Sequence, residues 1–226
     1  MDKSIDSLTG ASTYLNIRGD IIFGGLPPGS KLTLAPLRER YGASVPTLRE
    51  VLNRLTSEGF VVSEDLKGFQ VAPVSIKGLK EIASLRELLE SSGLQDSLKA
   101  GDVEWESDVL AAHHRLSSIE GAMIRGEKVN VRTWKQCDRQ FHAALIAACG
   151  SDFLVRTYNS VFDHYLRYQM LALGFRGESA ALEHRQLLEA ALARDVNKAL
   201  EVLHVHIAEG VKQAIATGPL SKSLAR

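Results

Sequence analysis

The stretch 44–73, SVPTLREVLNRLTSEGFVVSEDLKGFQVAP, decides how this chain is divided. Ser44 is a good helix N-cap, and Pro46 is tolerated in the first turn that follows. Leu48, Val51, Leu52 and Leu55 recur at helical spacing and form one apolar face. Gly59 ends the helix. An apolar run, a polar turn containing Lys67-Gly68 and a second apolar run then read as a β-hairpin.

Upstream, Tyr14, Ile17, Ile21 and Ile22 make an apolar helical stripe, stopped by Gly24-Gly25 and Pro27-Pro28-Gly29. Leu34, Leu37 and Tyr41 mark a short second helix ending at Gly42. Helix, short helix, turn, helix, hairpin is the order of a winged helix-turn-helix. Such a unit lays its third helix in the DNA major groove while the hairpin tip reaches the backbone or the minor groove. Residues 31–54 carry Lys31, Arg38, Arg40, Arg49 and Arg54 against Glu39 and Glu50, a net charge of +3. An Arg early in the third helix can reach guanine O6 and N7. The candidate DNA contacts are Arg38, Ser44, Thr47, Arg49 and Arg54, with Lys67 and Gly68 at the hairpin tip. The competing reading is a protein-interaction module, with Arg49 or Arg54 solvated or paired to Glu50 or Glu58.

Downstream the texture changes. Residues 75–217 read as helix throughout, with breaks near Gly101-Asp102, Gly126, Gly150, Gly174–Gly177 and Ala193-Arg194-Asp195. Six helices are expected, near 76–100, 104–125, 130–148, 152–172, 179–193 and 196–215. Ser151 or Asp152 can cap the fourth and Asp195 the last. The fold class is therefore mainly α. It comprises an N-terminal winged helix-turn-helix over 1–74 and an antiparallel six-helix bundle over 75–226.

Composition sets the outer bounds. The 226 residues are 45% hydrophobic and 24% charged with zero net charge, which fits a globular chain with a sizeable core. No apolar run approaches a membrane span, and MDKSIDSLTGAS lacks the apolar centre of a signal peptide. Cys137 and Cys149 fall in one expected helix, roughly 18 Å apart at 1.5 Å per residue, too far to pair. A reducing, cytoplasmic setting is expected. GxSxG, HExxH and phosphate-loop motifs are all missing from the sequence.

Within the bundle, CDRQFHAAL (137–145) sets Asp138 and His142 one turn apart on one helical face. His184 and His206 each lie eleven residues from Asp195, the centre of the turn between the last two helices. In an antiparallel hairpin both fall at the same height, roughly 16 Å from the turn. If the Asp138 helix packs beside that hairpin, three imidazoles and a carboxylate converge. That is a suitable set for a divalent transition metal: zinc foremost, with nickel, manganese or iron(II) also fitting. The alternative is a polar cluster closed by its own hydrogen bonds. His113, His114, His164 and His204 show no comparable spacing and read as ordinary histidines.

These stretches together carry a resemblance. PPGSKLTLAPLRERYGASVPTLREVLNRLTSEGFV, then DRQFHAAL, EHRQLLEAAL and HVHI, resemble the GntR superfamily of bacterial transcription regulators, in the FadR branch with an FCD-type effector domain. The resemblance spans nearly the whole chain. It implies metal ligation by Asp138, His142, His184 and His206. It also implies a homodimer on a palindromic operator, and a small carboxylate effector that completes the metal's shell. Arg86, Asn159 and Arg167 are the residues expected to contact that effector, and residues 75–80 to transmit its effect. GDVEWESDVLAAHHRLSSIE (101–120) is similar to regulators of small-acid catabolism. One departure stands out: the family's recognition helix usually opens Ser-Arg-Thr-Pro, whereas Val45 stands at the Arg position here.

The expected function is thus a ligand-responsive, sequence-specific DNA-binding regulator, a repressor, and not an enzyme. The rivals are a metal-dependent hydrolase or isomerase using the same four ligands, and a sensor whose signal is the metal itself.

Overall fold

The structure is a computed structural model, and it describes residues 3–64, 68–172, 175–217 and 220. The chain divides into two compact units, Met1–Ser75 and Ile76–Arg226.

The first unit holds α1 (Lys3–Ile22), β1 (Lys31–Leu32), α2 (Leu34–Tyr41), α3 (Val45–Ser57), β2 (Val61–Glu64) and β3 (Gly68–Val71). Gly42 takes the left-handed conformation (φ 65°) that ends α2, and its N–H bonds back to the Arg38 carbonyl. Ser44 then caps α3, its hydroxyl accepting from the Thr47 N–H at 3.3 Å. The expected apolar face of α3, Leu48, Val51, Leu52 and Leu55, is buried, with Ile17 and Ile21 of α1 also in the core. β2 and β3 pair antiparallel as the wing, with Val61 opposite Val71. The sequence reading missed β1. Lys31 and Leu32 pair with Gln70 and Phe69, so the sheet has three strands in the order β1-β3-β2. Two residues are too short to show an alternation.

The second unit is all helix among the described residues: α4 (Ile76–Ala100), α5 (Val103–Ile124), α6 (Val131–Leu145), α7 (Asp152–Ala172), α8 (Glu178–Leu192) and α9 (Val196–Thr217). Local caps set the breaks. Asp102 accepts from Trp105 N at 2.9 Å and Asn130 from Arg132 N at 2.9 Å. Ser151 accepts from Leu154 N at 3.2 Å and Asp195 from Lys198 N at 3.0 Å. Arg194, in the α8–α9 turn, reaches the last carbonyls of α4. Its guanidinium donates to Gly101 O at 2.9 Å and Leu98 O at 3.3 Å, and lies over the Trp105 ring. Those carbonyls have no partner within the helix itself, so the contact both caps α4 and ties the α8–α9 hairpin to it. Phe141, Tyr158, Phe162, Leu187 and Leu203 are fully buried at the centre. Cys137 and Cys149 are both free thiols. No helix among the described residues is long and apolar enough to cross a membrane.

Candidate metal centre and DNA-reading surface

Helices α6, α8 and α9 bring the four expected ligands together. Asp138, His142, His184 and His206 are all buried, and one ligand atom of each lies within 4.8 Å of the others. The three imidazole rings stand 4.7–5.5 Å apart, centre to centre. The equal-height argument for His184 and His206 therefore holds, their centroids being the closest pair at 4.7 Å.

Each imidazole is oriented by its own glutamate. His142 Nδ1 is bonded to Glu90 of α4. His184 Nδ1 meets Glu120 of α5 at 2.9 Å, and His206 Nδ1 meets Glu183 of α8 at 2.8 Å. A carboxylate on Nδ1 fixes the tautomer and turns Nε2 toward the centre, as in carboxylate–histidine–metal arrangements. His142 Nε2 and His184 Nε2 are buried without a hydrogen-bond partner. They face Asp138 Oδ1 at 3.7 and 3.3 Å. Buried ring nitrogens left without a partner are costly unless something binds them. Three imidazoles and a carboxylate form a donor set that suits a divalent transition ion.

The charges point the same way. Among the described residues, Glu90, Glu120, Asp138 and Glu183 stand against Arg86, Lys135 and Arg176, which leaves the cluster one negative charge in excess when its imidazoles are neutral. Burial pushes the His184 imidazole down, but the carboxylates of Asp138 and Glu120 facing its two ring nitrogens outweigh it and hold it up at about 9. Burial and the neighbouring His184 and His142 hold His206 well below the usual histidine range. Burial also opposes the ionised Asp138, yet Lys135 and the histidines keep its carboxyl well below the usual range. Glu90, despite burial, is pulled down to about 2 by Arg86 and His142. The excess of negative charge over neutral imidazoles thus favours a cation at the cluster, a proton on His184 or a metal ion in its place, and the carboxylates stay ionised.

A small recess leads to Asp138, His184 and His206. Lys135, Gln169, Arg176 and Gln213 supply its other polar walls, and Ala172, Ala180, Gly210 and Ala214 leave the room. The expected effector contacts lie elsewhere. Arg86 is sealed in the core, donating to Glu90 Oε2 at 2.9 Å beneath the Phe162 and Tyr165 rings. It therefore acts on His142 through Glu90. Gln169 and Ala172 are the α7 residues facing the recess. Arg167, two positions before Gln169, points about 200° round the helix, and Asn159 lies roughly 15 Å further along it. Neither lines the recess. Lys135 and Arg176 escaped the sequence reading because an isolated cation on a helix or loop reads as solvated.

On the first unit, Arg38, Arg49 and Gly68 are exposed. Ser44 and Thr47 share a 2.8 Å hydroxyl–hydroxyl bond at the start of α3. Arg54 lies over the Tyr14 ring at 3.7 Å and pairs with Glu58 at 3.2 Å, the pairing foreseen as the competing reading, while its side chain stays 59% exposed. Lys67 lies outside the described residues.

Comparison with known proteins agrees with both units. Residues 9–71 match the bacterial regulatory proteins of the gntR family, and residues 81–209 match the FCD domain. The chain is 34% identical over 202 residues to the uncharacterized HTH-type transcriptional regulator BphR of Paraburkholderia xenovorans, covering 88% of this chain and 82% of that one. It is 33% identical over 207 residues to the HTH-type transcriptional repressor GlaR of Escherichia coli, covering 89% and 93%. Among solved structures it superposes on E. coli McbR/YncC with a TM-score of 0.74 at 20% identity, covering 96% and 98%. A metal-free FCD domain superposes with a TM-score of 0.54 at 17% identity, covering 69% of this chain and all of that one.

A winged helix followed by a helical bundle with a buried His/Asp cluster is the make-up of a DNA-binding transcription regulator. The chain belongs to the GntR family of transcriptional regulators, in its FCD-domain branch, and is a transcription regulator rather than an enzyme. The FCD domain family is known for metal binding.

Proposed function

We propose that the chain is a cytoplasmic, homodimeric repressor of a small-acid catabolic pathway. On this reading a carboxylate effector, bound beside a divalent metal in the bundle, changes its affinity for a palindromic operator. The carrying observation is the pair of buried, partnerless Nε2 atoms of His142 and His184 opposite Asp138, at the foot of an open recess. Asp138, His142, His184 and His206 would hold the ion. Zinc suits the three imidazoles best, and nickel, manganese and iron(II) fit the same set. With its imidazoles neutral and a divalent ion bound, the cluster carries a single positive charge, which favours an anion in the recess. When bound, the metal supplies a Lewis-acidic anchor for that carboxylate.

The protein's own residues do the rest. Glu90, Glu120 and Glu183 orient the imidazoles, and the small side chains keep the recess open. Arg38, Ser44, Thr47, Arg49, Arg54, Lys67 and Gly68 would contact DNA, with Arg49 placed for base edges. Val45 removes one cation, so the half-site differs from that of relatives with Arg there. The exposed apolar side chains of the bundle are the candidates for a dimer contact. Leu85 and Leu88 of α4 and Phe153 of α7 are exposed apolar side chains, Phe153 at 79%. The effector must bind one of two states better, or it shifts nothing.

The test is selection of bound duplexes from a random library, followed by titration of the selected site with and without carboxylates and chelator. A palindromic consensus whose affinity responds to a carboxylate only in the metal-loaded protein is the expected result. Response to metal alone would favour the metal sensor. No enriched sequence under any of these conditions would overturn the reading.

A further inference from the structure

The first turn of α3 carries an apolar side chain that the proposed DNA contacts leave unused. Leu48, Val51, Leu52 and Leu55 turn into the core. Pro46, Arg49, Glu50 and Asn53 are exposed and Val45 is half-buried, so these five make up the outward side of the helix. The Ser44 and Thr47 hydroxyls are bonded to each other at 2.8 Å, and the Thr47 methyl faces Gly10 of α1. Val45 and Pro46 therefore supply the apolar surface at the start of α3. Val45 stands one turn before Arg49 on the same face, their Cβ atoms about 5–6 Å apart. Helical side chains lean toward the N-terminus, so Val45 covers the tip of α3, the end of a recognition helix that meets base edges. Pro46 lies about 100° further round, on the Glu50 side.

An isopropyl group has neither donor nor acceptor. Pressed against a polar base edge, it would strip away water and return no hydrogen bond. The apolar group on the major-groove edge of the four base pairs is the thymine C5-methyl. From this we infer that Val45 is a specificity-determining residue, which packs on a thymine methyl beside the guanine read by Arg49. A spacing of about 5–6 Å against a rise of about 3.4 Å per base pair puts that thymine one or two base pairs from the guanine. The inference rests on the proposed placement of Arg49 at base edges. It gives the departure from the family's usual Arg at this position a positive meaning: a donor for guanine or phosphate is exchanged for a reader of thymine.

The experiment uses the full-length protein and the duplex enriched from a random library. Each thymine is replaced in turn, in both half-sites, by deoxyuridine, which lacks only the methyl. Affinities are read by fluorescence anisotropy for wild type, V45A and P46A, and R49A marks the guanine by losing its preference there. At one position within two base pairs of that guanine, deoxyuridine is expected to weaken wild-type binding about tenfold, or about 1.4 kcal/mol. That is the scale of one buried methyl in each half-site. V45A is expected to bind the thymine and uracil duplexes equally, while P46A keeps the difference. Equal wild-type affinity for every deoxyuridine duplex would overturn the inference without recourse to any variant. A methyl effect that survives in V45A would overturn it too, and both outcomes leave Arg49 as a base reader. No enriched duplex would overturn the placement of α3 on DNA and the inference with it.

Discussion

Glu120 is 1% exposed, 64 positions before the histidine it holds, and nothing in its own neighbourhood of sequence marks it. The same is true of Glu90, 52 positions before His142. Asp138 and His142 were legible because one turn separates them, and His184 and His206 because equal distance from Asp195 sets them level. The glutamates were not, since a lone carboxylate on a long helix carries no spacing signal. Their place on the imidazole Nδ1 atoms nonetheless gives a test of the proposed metal site. We expect Glu120→Gln to weaken zinc binding about 10–100-fold, read by competition with a chromophoric chelator, with little change in helix content. Gly210 makes a second residue-scale test. A Cβ there would stand 2.5 Å from the Tyr165 hydroxyl and 3.4 Å from the Gln169 amide, so Gly210→Ala forces the recess wall to move. A loss of about 1–3 kcal/mol, seen as a lower Tm, is the expected outcome.

Among the elements, α3 was the easiest to read and α6 the most informative. Ser44, Pro46, the apolar face and Gly59 all agree on where α3 starts, faces and stops, and local agreement of that kind is what makes a sequence legible. Replacing Ser44 with Ala removes the cap on Thr47 N and the hydroxyl bond to Thr47 together. The expected cost is about 1 kcal/mol of stability, measured by urea unfolding, with weaker operator binding in a mobility-shift titration. The α6 helix presents Asp138, Phe141 and His142 inward and Lys135 toward the recess, so one element supplies candidate metal ligands, core and recess wall. β1 and the recess wall were hidden for a common reason: their order comes from pairing across the fold, not from any local pattern. Arg86 shows the converse. It was singled out as a cation on the right helix, but the packing of Phe162 and Tyr165 encloses it, so its influence reaches the site through Glu90.

At the scale of the whole molecule, the two units answer to different chemistry. The first is held by an apolar core and surface pairs such as Tyr14 and Arg18 on Glu58. The second buries a cluster of four carboxylates, three fixed cations and three imidazoles, which a divalent ion would complete. Chelation should therefore lower the thermal transition of the bundle and leave that of the winged helix in place. At free zinc about 1,000-fold above the dissociation constant, the linkage is about 4 kcal/mol, enough to separate two calorimetric peaks. The measurement that bears most directly on the metal centre is X-ray absorption at the zinc edge of the stoichiometrically loaded protein. The account predicts a shell of nitrogen and oxygen only, near 2.0–2.2 Å, with imidazole scattering from about three rings. A sulfur shell near 2.3 Å, pointing to Cys137 or Cys149, or zinc that washes out below stoichiometry, would contradict it.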